Sequence, residues 1–458
     1  MDNILAGFKF IQGLGPSVMM PIIIFVLGVI LKTGIGKAIR AGLTVGIGFI
    51  GLNLVIGMMS SNLGPAAQQM VERYGLSLSV IDVGWPAAAA IAFASTIGTV
   101  IIPLCLIINI IMLLTNTTQT VDVDIWDYWH FAFTGALVAI ITGSQILGIV
   151  AAVLNMIIIM VIADYTAPAL EKTNGLTGIS LPHGFSGAYV PIALIINKVI
   201  DLIPGIRDIN IDLNKIQDRF GVFGEPILVG TVLGLIIGIV AGYEIGPVLT
   251  LGITLGGVLV LIPKMAAMLM EGLLPISDAA SEFIEKRFKN RGKIYIGLDS
   301  AIGIGHPITL AVSLILVPLT VFMAVILPGN RVLPFADLAV IPFMFVLIIP
   351  MVNGNGFRAL VTGILTIAAG LLIATNLSPL ITTAAVNAKF KMPEGAMAIS
   401  SICDGANPLT WAIVHLNDIG IIGVGALTVV AVIMAVMNRK RIIKEAKKIH
   451  GAIDNSGM

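Results

Sequence analysis

Long apolar runs separated by short polar segments dominate the hydropathy pattern of this chain. A membrane-spanning helix needs about 20 apolar residues. Eleven segments approach or exceed that length: 17–36, 39–60, 87–114, 127–141, 146–165, 226–243, 248–270, 308–327, 335–352, 357–376 and 418–437. The pattern therefore predicts an all-α polytopic membrane protein with about eleven transmembrane helices in a lipid bilayer.

The distribution of lysine and arginine predicts the orientation of these spans. Lys32, Lys37 and Arg40 lie in the first connection, and a run of basic residues follows the last span at 439–448. Cytoplasmic segments of membrane proteins carry an excess of basic residues, so both places are predicted to be cytoplasmic. The N-terminal segment lacks the basic start and small-residue cleavage site of a signal peptide. The first span is therefore expected to be retained, with the N-terminus outside.

Composition supports a membrane location and narrows the partners. Hydrophobic residues make up 57% of the 458 residues and charged residues 11%, whereas a soluble protein carries about 25% charged residues. The net charge of +1 argues against a nucleic-acid partner. The two cysteines, Cys105 and Cys403, lie outside any CxxC motif, which favours neither a disulfide nor a zinc site. No cofactor is expected.

The second half of the chain repeats the first at an offset of about 210 residues, too long for a solenoid repeat. The offset is 210 residues at the start, grows to 221 where Trp85-Pro86 meets His306-Pro307, and settles at 211. The matches that support it are conformationally special residues: Pro16 with Pro226, Gly28 with Gly238, Gly143 with Gly354, Pro168 with Pro379, and Pro182 with Pro393. We interpret the offset as an internal repeat of five spans.

Equivalent connections of the two copies carry opposite basic content, as an inverted repeat requires. The counterpart of the basic first connection, at 243–244, has no basic residue. The segment 62–76 has only Arg73, whereas its counterpart 272–293 has five basic residues, and Arg331 alone disagrees. We therefore predict a first repeat at 1–197, a mixed-charge cytoplasmic linker at 198–221, a second repeat at 222–415, a final transmembrane helix at 416–438 and a basic cytoplasmic tail at 439–458.

Four segments with glycine and proline interrupt the apolar runs, at 82–86, 178–187, 297–307 and 403–408. Inverted-repeat transporters place the solute site near the midplane, where helices are interrupted, so we interpret each segment as a re-entrant hairpin tip or a helix break. Their polar and aromatic side chains suit a polyhydroxylated solute. The candidate solute-binding residues are Asp82, Trp85, His183, Asp299, His306, Asp404 and Asn407.

The alternative for each of these residues is that it caps a helix or braces a hairpin. For His183 and Asp299 solute contact is favoured, because an ionisable group at membrane depth is costly and usually functional. Gln145 begins the fifth span, and its counterpart is the segment 353–356; these amides would either frame the cavity or join helices.

Two further patterns predict features outside the breaks. Trp126, Trp129 and His130 are interpreted as an interfacial aromatic belt. Segments 62–76 and 275–291 have apolar residues at helical spacing. We predict them to be amphipathic arm helices that either connect a fixed frame to a moving core or only pack at the membrane surface.

With these motifs, the chain resembles the membrane subunit (IIC component) of the galactitol-type phosphotransferase system, related to the ascorbate-type permeases. The third break reads GLDSAIGIGHP, without the proline expected soon after the aspartate. The residues that carry the resemblance are Gly13-Leu14-Gly15-Pro16, Ile81-Asp82-Val83-Gly84-Trp85-Pro86, Val123-Asp124-Ile125-Trp126, Phe133-Thr134-Gly135-Ala136-Leu137, Pro182-His183-Gly184, Phe223-Gly224-Glu225-Pro226, Gly297-Leu298-Asp299, Gly305-His306 and Pro328-Gly329-Asn330.

The resemblance implies a permease subunit of the bacterial cytoplasmic membrane that is not an enzyme on its own. It implies a sugar or polyol substrate, an elevator-like motion of a core domain, a homodimer, and separate IIA and IIB subunits. The cysteine-bearing IIB subunit would phosphorylate the solute as it reaches the cytoplasm. The residues by themselves leave open an ion-coupled secondary transporter of a small polar solute. A membrane enzyme acting alone has no support, since the sequence contains no nucleophile motif, metal-ligand spacing or phosphate-binding loop.

Overall fold

The computed structural model describes residues 16–74, 78–122, 124–209, 225–288, 294–304, 306–393 and 396–456, and this part of the chain is mostly helical. The helices of the first half are α1 (Pro16–Ile30), α2 (Ile35–Tyr74), α3 (Trp85–Ala94), α4 (Thr96–Leu114), α5 (Tyr128–Thr142), α6 (Gln145–Asn174), α7 (Gly184–Ala188) and α8 (Val190–Asp201). Those of the second half are α9 (Pro226–Ala241), α10 (Ile245–Phe288), α11 (Pro307–Ile326), α12 (Ile341–Met351), α13 (Gly356–Asn387), α14 (Pro408–Asp418) and α15 (Ile421–Ser456). Short 3-10 helices at Ser300–Gly303 and Ala336–Val340 precede α11 and α12.

Several helices have the length and composition of membrane spans. Within the described ranges, four are long and apolar enough to cross a bilayer: Thr96–Leu114, Gln145–Asn174, Gly356–Asn387 and Ile421–Ala446. Shorter apolar helices accompany them, among them Tyr128–Thr142 and Ile227–Ala241. The chain is therefore a polytopic helical membrane protein, while the total of eleven spans stays a prediction.

Six short strands form two three-stranded parallel sheets, so the prediction of an all-α fold is wrong in this respect. One sheet has the order β5 (Val332–Leu333), β1 (Val80–Asp82), β6 (Ala398–Ser400), and the other the order β2 (Thr120–Asp122), β4 (Tyr295–Gly297), β3 (Ile179–Ser180). Strands of two or three residues are too short to show an alternating pattern. Their pairing depends on segments more than 100 residues apart, which hydropathy does not detect.

The central strand of each sheet comes from the opposite half of the chain. Val80 of β1 pairs with Val332 and Ala398, and Ile296 of β4 pairs with Val121 and Ile179. The two halves are thus interleaved. Because neighbouring strands satisfy one another's backbone groups, extended chain is tolerated inside a protein at membrane depth.

The four predicted breaks coincide with places where a strand ends and a helix begins. Strand β1 precedes α3, β3 precedes α7, β4 precedes the 3-10 helix before α11, and β6 precedes α14. The predicted interruptions are therefore present. The element before each break is a strand that pairs across the molecule, and the re-entrant course of these segments stays a prediction.

Three predicted segments differ in extent from the observed helices. Segment 87–114 is two helices, since the Ser95 hydroxyl accepts a hydrogen bond from the Gly98 N–H and caps a new helix there. Segments 39–60 and 248–270 do not end where predicted, because α2 and α10 continue to Tyr74 and Phe288. The predicted arms are thus continuous with the preceding spans and are not separate helices.

Some predictions lie outside the described residues. These are the residues Val123 and Gly305, the motif Gly13-Leu14-Gly15, the pair Phe223-Gly224, and half of the linker, at 210–221. The side chains that give the arms their amphipathic spacing also lie outside the description: Ala67, Met70, Val71, Tyr74, Ala280, Phe283, Ile284 and Phe288.

Helices α1, α2, α9 and α10 pack against one another and form a unit that we call the frame. Glycines let the long helices α2 and α10 approach closely: a Cβ at Gly48 would lie 2.7 Å from the Leu269 side chain, and one at Gly272 would lie 2.7 Å from Val45. Gly48 comes after Val45 along α2, whereas its partner Leu269 comes before Gly272 along α10. The helices are therefore antiparallel, and the basic start of α2 lies at the same end as the last turn of α10.

The remaining helices and both sheets form a second unit, which we call the core. Helix α5 lies at its centre and contacts α3, α4, α6, α13 and α14. Contacts between frame and core are sparse and fall mainly on α3, β2 and the 3-10 helix Ala336–Val340. The last helix belongs to the core, because the Asn438 amide donates to Asp164 on α6 at 2.6 Å.

Candidate solute-binding site

Asp82, at the end of β1, is a buried acceptor for backbone N–H groups from both halves of the chain. Its Oδ2 accepts from the N–H groups of Phe335 and Asp337, each at 2.9 Å. Its Oδ1 accepts from Gly84 at 3.2 Å and from Ile402 at 3.4 Å. The side chain therefore fixes the three turns that follow β1, β5 and β6.

Asp337 completes this arrangement from the other direction. Its Oδ1 accepts from the Trp85 N–H at 2.6 Å, and its Oδ2 accepts from the Ser401 hydroxyl at 2.5 Å and the Cys403 N–H at 2.9 Å. The contacts of the two residues are thus reciprocal. The Asp82 carboxylate accepts from the backbone of Asp337, and the Asp337 carboxylate accepts from the backbone of Trp85, in the turn that follows Asp82. We call these two residues the carboxylate brace.

His183 is fixed by the start of α7. Its Nδ1 accepts a hydrogen bond from the Ser186 N–H at 3.2 Å, while the Ser186 hydroxyl donates to the Phe343 carbonyl at 2.7 Å. Nε2 therefore carries the hydrogen of the neutral ring. The next residue must be a glycine, because a Cβ at Gly184 would overlap the Cβ of His130. The two imidazole rings consequently lie 4.6 Å apart.

Asp404 and Asn407 hold His130 from the opposite side. His130 Nδ1 lies 2.8 Å from Asp404 Oδ2. Asp404 Oδ1 accepts from the Asn407 amide at 3.1 Å, and the same amide donates to the Gly184 carbonyl at 3.1 Å. Asn407 also caps α14 through its Oδ1. Both of its polar atoms are used in these contacts, so its position is set by the fold.

Asp127 lies between the two histidines without a hydrogen-bond partner. Its Oδ1 is 4.0 Å from His130 Nε2 and 3.8 Å from His183 Nε2. The residue is 0% exposed, and neither of its carboxylate oxygens has a hydrogen-bond partner among the described residues. Burying a carboxylate without partners costs several kcal/mol, so this group is expected to receive donors from a ligand.

Asp299 and Asp124 extend the cluster. Asp299 Oδ1 lies 3.8 Å from His183 Nε2, and the Asp299 side chain accepts from the Ala301 N–H at 2.7 Å. Carboxylate oxygens of Asp124, Asp127 and Asp299 lie within 4.8 Å of one another. Such a group of oxygens and imidazole nitrogens has the geometry to hold either a cation or several hydroxyl groups. We call Asp124, Asp127, His130, His183, Asp299 and Asp404 the central cluster.

The structure brings together several of the predicted site residues. His183, Asp299, Asp404 and Asn407 belong to the central cluster or contact it directly. Trp85 is half-buried at the start of α3, with its ring edge-on to Trp126 at 6.1 Å, and the carboxylate brace ties its backbone to Cys403, the neighbour of Asp404. Asp82, which was predicted to bind solute, belongs to the carboxylate brace.

Two predicted site residues lie elsewhere. Gln145 is exposed at the start of α6, at the opposite end of α5 from His130 and roughly 20 Å away by helical rise. His306 occupies the N-cap position of α11 without a capping hydrogen bond from its side chain, and it lies beside the backbone of Thr173 at the end of α6. Neither makes a described contact with the central cluster.

The counterpart of Gln145 lines a separate polar cleft of about 370 Å³. There Arg358 binds Asp201 at 2.7 Å, the Asn197 side chain, and the Arg207 carbonyl at 2.9 Å. Asn355 caps α13 and donates to the Ile209 carbonyl at 3.0 Å. This cleft therefore anchors the chain that leads out of the first half.

The sequence did not predict Asp124, Asp127 and His130 as cluster residues or Asp337 as part of the brace. Its pattern instead predicted an interfacial belt of His130, Trp126 and Trp129. That interpretation is wrong, because these three side chains are only 1–3% exposed and pack inside the core. The repeat contained a usable signal, because Asp127 and Asp337 are 210 residues apart, one less than the offset of 211 at which Gly143 meets Gly354.

Buried carboxylates and imidazoles lie beside helix breaks in this multi-pass helical protein. This combination is typical of a membrane permease for a polar solute. Residues 9–395 match the family described as "PTS system sugar-specific permease component" (EIIC-GAT). The chain belongs to this family of phosphotransferase-system permeases, which confirms the resemblance.

Two relatives from Escherichia coli K12 cover nearly the whole chain. The chain is 41% identical to a "Putative permease IIC component" over 96% of this chain and 100% of the relative. It is 40% identical to a "PTS system galactitol-specific EIIC component" over 96% of this chain and 98% of the relative. The protein of that name in strain O157:H7 matches equally well.

Proposed function

We propose that this protein is the polyol-translocating IIC subunit of a phosphoenolpyruvate-dependent phosphotransferase system, for galactitol or a related alditol. The observation that carries the proposal is the buried Asp127 carboxylate, which has no described hydrogen-bond partner and faces two imidazoles. The relative named as galactitol-specific supports the choice of solute. The family does not favour the ion-coupled secondary transporter.

The donors and acceptors of the central cluster match a chain of hydroxyl groups. Each hydroxyl donates one hydrogen bond and accepts others. Asp127 and Asp299 accept, whereas His183 Nε2–H donates, since its Nδ1 is already occupied. In the proposed complex the solute supplies Asp127 with the donors that the fold does not provide, and Trp85 packs against its C–H face.

Substitution of Asp127 tests the site. We expect Asp127→Asn to weaken galactitol binding by roughly 10- to 150-fold, since hydrogen bonds to a charged group are worth about 1.5–3 kcal/mol. His183→Ala and Asp299→Asn are expected to weaken it as well. Equilibrium binding of radiolabelled galactitol to purified protein measures the effect, and Asp418→Asn, at an exposed position on α14, is the matched control. Wild-type affinity in Asp127→Asn would remove the residue from the site.

We further propose that separate IIA and IIB subunits deliver the phosphoryl group, because the family is that of sugar-specific permease components of the phosphotransferase system. Cells that express the permease together with both partners should accumulate phosphorylated galactitol. Cells that lack IIB should accumulate none. Uptake of unmodified galactitol driven only by a proton or sodium gradient would refute this part of the proposal.

The interleaved sheets support the proposed inverted repeat. The element order from α1 to β3 recurs from α9 to β6, and each copy supplies the central strand of the sheet formed with the other. The antiparallel course of α2 and α10 is the arrangement that two inverted copies would have. On this basis we propose the two repeats 1–197 and 222–415, the linker 198–221, the final helix 416–438 and the cytoplasmic tail 439–458.

The sparse contacts between frame and core support an elevator-like motion. Glycine contacts bind the frame helices closely to one another, whereas few residues join the frame to the core. A core that carries the solute site could therefore slide along the frame with little disruption. We propose that the frame is the stationary part and that the protein acts as a homodimer, with its C-terminus in the cytoplasm.

A further inference from the structure

Two members of the central cluster form a pair whose free end faces the proposed solute. Asp404 is 0% exposed, and its Oδ2 lies 2.8 Å from His130 Nδ1. Its other oxygen is held by Asn407, which is itself fixed as the cap of α14. The His130 ring is confined further by the Trp129 ring at 4.0 Å and by the close approach of Gly184.

The hydrogen-bond partners assign different roles to the two histidines. The Asp404 carboxylate accepts the hydrogen on His130 Nδ1, which leaves the lone pair of the neutral ring on Nε2. That buried Nε2 has no hydrogen-bond partner in the described ranges. In His183 the assignment is reversed, because Nδ1 accepts from Ser186 and Nε2 carries the hydrogen. One imidazole therefore presents an acceptor to the site and its neighbour presents a donor.

We propose that His130 is the general base for phosphorylation of the bound polyol and that Asp404 is its positioning residue. This inference rests on the proposed function, because it requires the polyol to bind in the central cluster and to receive a phosphoryl group there. A carboxylate behind an imidazole fixes its tautomer and stabilises the imidazolium that forms when the ring takes a proton.

The hydroxyl oxygen of the polyol attacks the phosphorus of a phosphocysteine on the partner subunit and forms a new O–P bond. The S–P bond breaks, and its electron pair leaves with the sulfur as a thiolate. The hydroxyl proton moves to His130 Nε2, and from there it returns to the thiolate or to water after the product leaves.

The geometry favours a base over a simple acceptor. Asp127 already supplies acceptor oxygens at the same place, 4.0 Å from His130 Nε2. A ring that only accepted a hydrogen bond would not need a buried carboxylate on its far side, and burial of that carboxylate costs several kcal/mol. The arrangement is explained when the ring acquires positive charge during the reaction.

The test separates binding from phosphoryl transfer. Purified full-length permease is mixed with radiolabelled galactitol to measure affinity, and then with phosphorylated IIB at saturating galactitol to measure a single turnover. We expect His130→Gln to keep affinity within about threefold and to lower the transfer rate by at least ~100-fold. Asp404→Asn should lower the rate to a similar extent, since an amide can donate to Nδ1 and move the ring hydrogen to Nε2.

The control is His415→Gln, which changes a histidine whose Nδ1 contacts only the carbonyl of Trp411 in its own helix. It should leave both measurements unchanged. The wild-type rate should also fall on acidification. His130→Gln should abolish this dependence although the ionisable groups facing the ring are retained, namely Asp127, His183, Asp299, Cys403 and Asp404.

Three outcomes overturn the inference. A wild-type transfer rate in His130→Gln excludes the base, as does an unchanged acid limb in that variant. Loss of galactitol binding in both folded variants assigns the pair to solute recognition alone. Failure of the proposed function gives a different result, in which the wild-type protein itself binds no galactitol or yields no phosphorylated product.

Discussion

At the scale of single residues, the buried carboxylates divide into two functional groups. Those of the carboxylate brace, Asp82 and Asp337, are surrounded by donors from the protein. Asp127 has none among the described residues. The contacts of Asp82 favour the bracing role that the sequence left open as an alternative. Asp127 and Asp122 are the buried aspartates whose two carboxylate oxygens both lack a described hydrogen-bond partner, and of these Asp127 lies beside His130 and His183.

The brace predicts a stability effect without a direct binding effect. Asp337→Asn replaces one acceptor oxygen by an NH2 group that faces the donors of Trp85 or of Ser401 and Cys403. An unsatisfied buried group of this kind costs about 1–3 kcal/mol, so the variant should unfold at a lower temperature in detergent. Thermal unfolding followed by size-exclusion chromatography measures it, with the exposed Asp278→Asn as the control. Equal stability of the two variants would show that the brace is dispensable.

At the scale of elements, the position of α5 determines where the cluster residues lie, because Asp127 and His130 stand at its start. Helix α5 lies against α6 through two glycines: a Cβ at Gly135 would lie 2.6 Å from the Gly148 carbonyl oxygen, and the reverse distance is also 2.6 Å. Backbones that approach this closely leave no room for a methyl group. The spacing of the two helices is therefore set by residue size.

A methyl group at this contact should separate α5 from α6. We expect Gly135→Ala to destabilise the protein by about 1–3 kcal/mol and to weaken galactitol binding, since Asp127 lies at the start of the displaced helix. Gly425→Ala is the matched control, because that glycine of α15 has open space around its Cβ position. Thermal unfolding and galactitol binding of both variants measure the effect. Wild-type behaviour of Gly135→Ala would contradict the close contact.

At the scale of the whole molecule, frame and core differ in what joins them. Close contacts at glycines hold the long antiparallel helices of the frame together, and hydrogen bonds between distant strands hold the core together. Since few contacts cross between the two units, relative motion costs less than motion within either. This is the physical basis of the proposed elevator.

Spin labels can measure this motion directly. One label at Ile245 on the frame and one at Ile421 on the core occupy strongly exposed positions, 80% and 86%. Their distance distribution should shift when galactitol and phosphorylated IIB are added. A pair within the frame, at Ile35 and Ile245, should not change. The native Cys105 and Cys403 are buried and should not react with the label. An unchanged Ile245–Ile421 distance in a turning-over complex would exclude movement of the core past the frame.

The sequence alone determined the membrane location, the family, most helix positions and the four interruptions. These follow from local properties, since apolar runs, prolines and glycines act on the chain within a few residues. It also singled out His183, Asp299, Asp404 and Asn407. Only the tertiary structure showed the two sheets, because pairs such as Val80 with Val332 and with Ala398 depend on contacts between distant segments.

The same reason explains the residues that were missed. Next to Trp126 and Trp129, His130 has the pattern of a membrane-interface belt, and nothing local shows that Asp404, 274 positions later, will hold its ring. Asp82 and Asp127 are both acids beside apolar segments. Only tertiary folding decided that, among the described residues, backbone N–H groups surround the carboxylate of Asp82 and none donates to that of Asp127.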